Sequence, residues 1–170
     1  RKLLPEAGFI AEEGSAAYSD ETYCWVVDPL DGTTNYIHDN APYCVSIALR
    51  DKQSLLLGVV YEPCRDECFY AWKGGGAYVN GERLRVSLVS ELKDAFVVTE
   101  LPYNFEQYAR TGEHLIHELY GKVVGIRMNG SAALALCYVA AGRFDAWLEA
   151  FIGKWDFSAA ALMVLEAGGK

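Results

Sequence analysis

The stretch that decides the fold is Trp25-Val26-Val27-Asp28-Pro29-Leu30-Asp31-Gly32-Thr33-Thr34-Asn35. Its apolar start, with two β-branched valines, predicts a buried strand over residues 25–27. Proline lacks the backbone N–H that a β-ladder needs, so we expect the strand to stop at Asp28-Pro29. The strand therefore delivers Asp28 and Asp31 to its end, followed at once by a glycine and two threonines.

These residues alone leave two interpretations of the carboxylates open. Unpaired buried carboxylates are very costly, and carboxylates at strand ends commonly bind hard cations, of which Mg²⁺ favours a few carboxylates plus phosphate oxygens. The alternative is a polar turn, in which Asp31-Gly32 provides the turn and Thr33 caps a helix. The first interpretation predicts a metal site, and the second predicts only a loop.

The composition describes an acidic globular chain. Its 170 residues are 52% apolar and 22% charged, enough for one compact domain or two closely packed lobes. The net charge of −8 argues against a nucleic-acid partner, which needs a basic face. It does not argue against a phosphorylated substrate, because bound cations reverse the local charge.

Three further features concern location. No apolar run approaches the ~18 residues of a membrane span, and no signal peptide is visible. The five cysteines lack the spacing of a disulfide framework, so we expect free thiols in a reducing cytoplasm. The sequence opens on Arg1 without a methionine and stops at Lys170, so we expect a fragment of a longer chain.

Periodicity predicts a layered α+β fold made of a mostly antiparallel sheet plus buried helices. An Asn80-Gly81 dipeptide between two short apolar segments indicates a type I′ hairpin. The first predicted strand covers 8–11. After the signature loop we predict strands 43–49, 55–61, 67–72, 77–79, 83–86 and 95–99, which we assign to an antiparallel meander, and further strands at 122–127 and 144–149. The predicted helices are 105–120, 132–141 and a strongly apolar one from Trp155 to Gly168-Gly169.

Three motifs, in order and across nearly the whole chain, resemble the inositol monophosphatase family of Mg²⁺-dependent, lithium-sensitive phosphatases. Residues 28–35 resemble its first signature, Phe9-Ile10-Ala11-Glu12-Glu13 its upstream acidic segment, and Trp155-Asp156 through Gly168-Gly169 its second signature. Ala11 departs from the usual glycine. The resemblance implies an α/β/α/β/α sandwich, a homodimer, and a single catalytic region over 1–170 that lacks the family's N-terminal helices and C-terminal strands.

The resemblance also implies a set of metal ligands. Two Mg²⁺ ions roughly 4 Å apart neutralise a phosphate, lower the pKa of a water molecule and hold the leaving oxygen. Glu12, Asp28 and the Leu30 carbonyl would hold the first ion, and Asp28, Asp31 and Asp156 the second, with a third, weaker ion near Glu12. The local context of Asp156 alone favours a different role, the N-cap of the last helix, because an aspartate at a helix start is more often only a cap.

The resemblance assigns the remaining catalytic and substrate contacts as well. The Thr33 hydroxyl, paired with Glu12, would orient the attacking water, and the N–H groups of Gly32 and Thr33 would donate to phosphate oxygens. Contacts to substrate hydroxyls would come from Gly130-Ser131-Ala132 and Glu149. Without the resemblance, Ser131 is a helix cap and Glu149 a surface acid.

These contacts favour hydrolysis of inositol 1-phosphate or a related polyol phosphate. Two alternatives stay open. One is a sister phosphatase acting on fructose 1,6-bisphosphate, 3′-phosphoadenosine 5′-phosphate or histidinol phosphate, because loops and not the fold set specificity. The other is a non-catalytic interaction protein, since some bacterial relatives associate with the transcription machinery.

Overall fold

The computed structural model describes residues 4–13, 22–101 and 105–170, with the side chain of residue 105 excepted. Within them, the helices are α1 (Thr33–Ile37), α2 (Phe105–Leu119), α3 (Ala132–Ala140) and α4 (Lys154–Glu166), and a 3₁₀ turn spans Leu92–Asp94. The strands are β1 (Gly8–Ala11), β2 (Tyr23–Asp31), β3 (Cys44–Asp51), β4 (Leu55–Glu62), β5 (Glu67–Trp72), β6 (Gly76–Val79), β7 (Glu82–Arg83), β8 (Phe96–Thr99), β9 (Gly125–Arg127) and β10 (Ala146–Leu148).

Seven strands form a large sheet in the order β1-β2-β3-β4-β5-β6-β7. Strand β1 is parallel to β2, and every other neighbouring pair is antiparallel. Asn80 (φ 47°) and Gly81 (φ 90°) both take positive φ between β6 and β7, as the type I′ turn requires. The predicted antiparallel meander is therefore confirmed from β3 to β7.

A second sheet corrects the predicted position of residues 95–99. Strand β8 leaves the meander and lies between β10 and β9, and both pairings are parallel. Helix α2 connects β8 to β9 and returns the chain to the end of the sheet at which β8 begins. Strand β9 therefore runs in the same direction as β8. The repeated alternation of apolar residues did not distinguish this crossover from another hairpin.

The two sheets enclose a pair of helices. Helix α4 packs against strands β2 to β6 and against α3, and α3 reaches β10 of the small sheet. On the other face of the small sheet, Leu115 and Leu119 of α2 pack near Val97 and Ile126. The resulting order of sheet, helix pair, sheet and helix confirms the layered α+β prediction.

The sheet and α4 approach each other closely at one glycine. A Cβ atom on Gly58 of β4 would lie 2.4 Å from the carbonyl oxygen of Ala159 in α4. Only glycine permits this contact, and Ala159 and Ala160 are themselves fully buried. Small residues on both elements thus set the position of α4, whose start carries one of the predicted site residues.

Strand β2 does not stop at Pro29 as predicted, but continues to Asp31. Its pairing with β3 shifts between Asp28, opposite Ser46, and Asp31, opposite Cys44. Two residues of β2 thus face one of β3, which is a β-bulge. Bulges are among the few places where a sheet accepts proline, because the missing N–H is not needed there.

Other boundaries differ by a few residues from those predicted. Strands β7, β9 and β10 are shorter than the predicted strands 83–86, 122–127 and 144–149. The residues that follow β7, which were predicted to continue the strand, are irregular. Helix α1 begins after Gly32, which serves as its N-cap without a side-chain hydrogen bond, so the alternative role of Thr33 as a cap is wrong. Across the described segments, no helix has the length and apolarity to span a bilayer.

Candidate functional site

Three aspartates meet at the end of β2 and the start of α4. Asp28, Asp31 and Asp156 each offer one carboxylate oxygen, and these oxygens lie within 4.8 Å of one another. On a regular strand, residues three apart point to opposite faces. The bulge at Pro29-Leu30 adds one residue, so that Asp28 and Asp31 are both buried on the same side of β2.

Asp28 is the most deeply buried member of this aspartate cluster and is only 1% exposed. Its Oδ1 accepts a hydrogen bond from the backbone N–H of Leu30 at 2.9 Å. Burial, together with the charges of Asp31, Glu12 and Asp156, raises the pKa of Asp28 to about 7. This carboxylate thus has little water, one N–H donor and several acidic neighbours.

Asp31 faces the N-terminus of α3. Its Oδ2 accepts the Ser131 hydroxyl at 2.5 Å and the backbone N–H of Ala133 at 2.9 Å, and the thiol of Cys44 lies 3.6 Å away. An acid at this end of a helix is favoured by the helix dipole. Burial nevertheless raises the pKa of Asp31, and the hydrogen bonds offset only part of that effect.

Asp156 comes from the first turn of α4. The N-cap of this helix is Gly153, so the N-cap interpretation of Asp156 is wrong by three positions. Its Oδ2 accepts the backbone N–H of Gly153 at 2.6 Å, which secures the helix start. Burial and the charges of Asp31 and Glu12 raise the pKa of Asp156 to about 6.

The donor set fits a hard cation. Burial raises the pKa of all three carboxylates, and the charge of Asp31 raises the pKa values of Asp28 and Asp156 further. A divalent ion among them would remove both penalties, and oxygen ligands from carboxylates suit Mg²⁺. The carboxylates of Asp28, Asp31 and Asp156 are therefore chemically suited to the predicted Mg²⁺.

Three other predicted residues lie around this group. Glu12, directly after β1, is exposed and lines the same cavity, outside the 4.8 Å group. The Thr33 hydroxyl donates to the Leu30 carbonyl at 2.8 Å. The Leu30 carbonyl, a predicted metal ligand, is thus already a hydrogen-bond acceptor.

Gly32 occupies a position that only glycine fits. Its φ is 86°, and a Cβ atom would lie 2.9 Å from the carbonyl oxygen of Pro42 and 3.2 Å from that of Gly130. The Asn35 amide ties the same parts together by donating to the carbonyls of Pro42 (2.8 Å) and Asn129 (2.7 Å). The turn after β2 therefore packs directly on the turn before α3.

A cavity of about 480 Å³ opens over the aspartate cluster, a volume typical of small-molecule sites. The predicted substrate residues Gly130, Ala132 and Glu149 line it, whereas Ser131 is completely buried. The Ser131 oxygen also accepts the N–H of Leu134, so Ser131 caps α3 as its local sequence predicts. The other lining residues are Glu12, Asp28, Leu30, Asp31, Gly32, Thr33, Thr34, Glu100, Leu101, Met128, Ala150, Phe151, Ile152, Gly153, Trp155 and Asp156.

Sequence reasoning missed Glu100, which directly follows β8 and lines the cavity. Its Oε1 accepts the backbone N–H groups of Asn129 and Gly130, both at 2.7 Å. Burial raises the pKa of Glu100. An acid at the end of an apolar strand is the signal that singled out Asp28, and it was present here as well.

Comparison with known proteins identifies the family. The model of the inositol monophosphatase family matches residues 1–170. The chain belongs to the inositol monophosphatase family. The predicted resemblance is thereby confirmed.

Relatives of this chain carry two kinds of name, inositol monophosphatase and Nus factor. The chain is 44% identical to Nus factor SuhB of Escherichia coli K12 and 42% identical to inositol-1-monophosphatase of Rhizobium meliloti, each alignment covering 99% of this chain and 64% of the relative. The solved inositol monophosphatase of Anabaena superposes with a TM-score of 0.91 at 39% identity, covering 100% of this chain and 68% of the other. The chain thus spans about two thirds of the length of these relatives.

Proposed function

We propose that this protein is a Mg²⁺-dependent phosphomonoesterase acting on inositol 1-phosphate or a related polyol phosphate. The observation that carries the proposal is the convergence of Asp28, Asp31 and Asp156 beneath a cavity, in a chain of the inositol monophosphatase family. Carboxylates of like charge are expensive to bury together. A scaffold without a bound cation would gain stability by replacing them.

The metal would be held by residues from three parts of the chain. Glu12, Asp28 and the Leu30 carbonyl would form the first position and Asp28, Asp31 and Asp156 the second, with a third near Glu12. When bound, Mg²⁺ supplies neutralisation of the phosphate and activation of water. Asp28 would belong to both positions, and it is the least exposed of these acids at 1%.

The other residues would orient water and phosphate. The Thr33 side chain is exposed and would have to turn from the Leu30 carbonyl towards Glu12 to position the attacking water. The backbone N–H groups of Gly32 and Thr33 would donate to phosphate oxygens. The close packing around Gly32 favours this role because it fixes the backbone there.

The substrate's hydroxyls would contact the turn before α3 and the acid after β10. Gly130, Ala132 and Glu149 line the cavity and are available for such contacts. Ser131 would act from below, since its hydroxyl donates to Asp31 and fixes the orientation of that carboxylate. Glu149 would accept hydrogen bonds from the hydroxyls, and its Oε2 is a buried atom without a hydrogen-bond partner among the described residues.

The proposal is tested by phosphate release from full-length protein with and without Mg²⁺. The substrates are inositol 1-phosphate, fructose 1,6-bisphosphate, 3′-phosphoadenosine 5′-phosphate and histidinol phosphate. We expect Mg²⁺-dependent turnover led by inositol 1-phosphate, lost in Asp156→Asn and kept in the exposed control Asp94→Asn. Turnover led by another substrate would keep the metal site and replace the substrate. Activity that survives chelation would refute the metal assignment.

A second candidate function is an interaction protein. It is favoured by the 44% identity to a relative named Nus factor, while the net charge of −8 argues for protein rather than nucleic-acid partners. Metal binding without turnover on any of the four substrates would support it.

We also propose a homodimer, tested by light scattering of the full-length protein. A cytoplasmic location agrees with the five free thiols and is tested by cell fractionation.

A further inference from the structure

Glu100 and Glu149 stand side by side at the carboxyl ends of two neighbouring parallel strands. In the pairing of β8 with β10, Thr99 is opposite Leu148, so that the next residue of each strand is a glutamate. Paired strands lie about 4.8 Å apart. The Thr99 hydroxyl also donates to the Leu148 carbonyl at 2.6 Å and holds the two strand ends together.

Both glutamates face the cavity above the aspartate cluster. Glu100 is the strongest charged influence on Glu149, and after burial it contributes most to raising the pKa of Glu149 to about 7. Among the described residues neither glutamate forms an ion pair with a lysine or arginine. The small sheet therefore presents a doubly acidic wall, defined here as Glu100 and Glu149, outside the proposed metal group.

The orientation of Glu100 is fixed by the turn that precedes α3. Its Oε1 receives the N–H groups of Asn129 and Gly130. A surface glutamate would rotate away from a neighbouring acid, but two backbone donors hold this one in place. The fixed carboxylate stays next to Glu149, although the charges of the two repel.

We propose that Glu100 is a specificity-determining residue, which together with Glu149 selects substrates that carry hydroxyls beside the scissile phosphate and rejects those that carry a second phosphate. This inference rests on the proposed function. Carboxylates accept hydrogen bonds from hydroxyls readily, whereas an ionised carboxylate repels a second phosphate dianion. Such rejection is how a site discriminates between ligands that share one recognised group.

The competing explanation is that Glu100 only anchors the turn. Two substitutions separate the roles. Glu100→Gln keeps an oxygen that accepts both N–H groups and removes the charge, whereas Glu100→Ala removes the anchor as well. Glu82→Gln on the exposed strand β7 is the matched control for loss of one glutamate charge.

The experiment compares inositol 1-phosphate with fructose 1,6-bisphosphate in full-length protein. The ratio of kcat/KM for the bisphosphate to that for the monophosphate should rise about tenfold in Glu100→Gln, the equivalent of about 1.4 kcal/mol, and remain unchanged in Glu82→Gln. Hydrogen exchange of the Asn129 and Gly130 amides should accelerate only in Glu100→Ala. An unchanged ratio in Glu100→Gln, with the wild type active, would overturn the inference and leave the proposed function intact.

A binding measurement distinguishes failure of the proposed function from failure of the inference about Glu100. Dissociation constants for the same two ligands are measured by calorimetry in Ca²⁺, a cation that also takes carboxylate oxygens. The wild type could lack turnover while the affinity for the bisphosphate relative to the monophosphate is still about tenfold higher in Glu100→Gln than in the wild type. That result would refute the proposed function and leave the role of Glu100 intact. Unaltered relative affinity in Glu100→Gln would refute the role of Glu100 in either case.

Discussion

Replacing Asp28 by Asn is expected to stabilise the metal-free protein while removing its activity. Asp28 is buried beside Asp31 and Asp156, and its ionised form is disfavoured by burial and by like charge. Asparagine has nearly the same shape, and its Oδ1 can still accept the Leu30 N–H. The substitution therefore removes the unfavourable charge and leaves the local hydrogen bond in place.

The magnitude follows from the pKa of Asp28, which is raised from an ordinary 3.8 to about 7. Between these values the folded protein binds more protons than the unfolded chain, so the stability of the wild type falls as pH rises through this window and levels off above about pH 7. From pH 5 to pH 8 the loss is about 2.5 kcal/mol. The stability advantage of Asp28→Asn should grow by that amount over the same range, or about 5–10 °C in Tm.

The assay is thermal unfolding of both proteins at pH 5 and pH 8, in chelator and in Mg²⁺. In chelator, Asp28→Asn should melt above the wild type at pH 8 and by a smaller margin at pH 5. In Mg²⁺, the wild type should gain Tm because the ion binds the folded state, and Asp28→Asn should gain little. A variant that melts below the wild type at pH 8 in chelator would refute the reasoning about the buried charge.

Three further substitutions test how the site is supported. Ser131→Ala removes both the hydroxyl donor to Asp31 and the cap of α3, so urea unfolding should show a loss of about 1–3 kcal/mol. Gly58→Ala forces α4 away from β4, and a loss of about 1–3 kcal/mol should appear in the same assay; an unchanged midpoint would mean that α4 moves freely. Tyr138→Phe takes the 2.7 Å phenol donor from Glu62, which is 1% exposed, and should lower the unfolding free energy by about 1–3 kcal/mol without altering KM.

Local patterns predicted the parts of the fold that depend on local chemistry. The Asn80-Gly81 hairpin, the alternating strands of the meander and the apolar helix α4 each follow from a few neighbouring residues. The parallel sheet of β8, β9 and β10 did not, because a strand of three or four residues carries no information about its partner. That partnership depends on where α2 returns the chain.

The site was predictable in its acids but not in its geometry. Asp28 and Asp31 stand out because they follow an apolar strand, and the resemblance to a known family added Asp156, yet the same strand-end signal at Glu100 was passed over. The rule that proline ends a strand gave the wrong boundary, since a bulge absorbs Pro29. The hydrogen bond from Ser131 to Asp31 joins two segments that are distant in the sequence, which local spacing alone does not encode.

The bulge in β2 explains both the wrongly predicted end of that strand and the position of the aspartates in the site. Without the extra residue, Asp31 would point to the opposite face of the sheet from Asp28, away from the start of α3. With it, Asp31 reaches Ser131 and the N–H of Ala133, and both aspartates stay within reach of Asp156. Pro29 suits this position because it donates no ladder hydrogen bond and resists a return to regular pairing. The residue that predicted the end of the strand is therefore the one that favours the arrangement of the aspartate cluster.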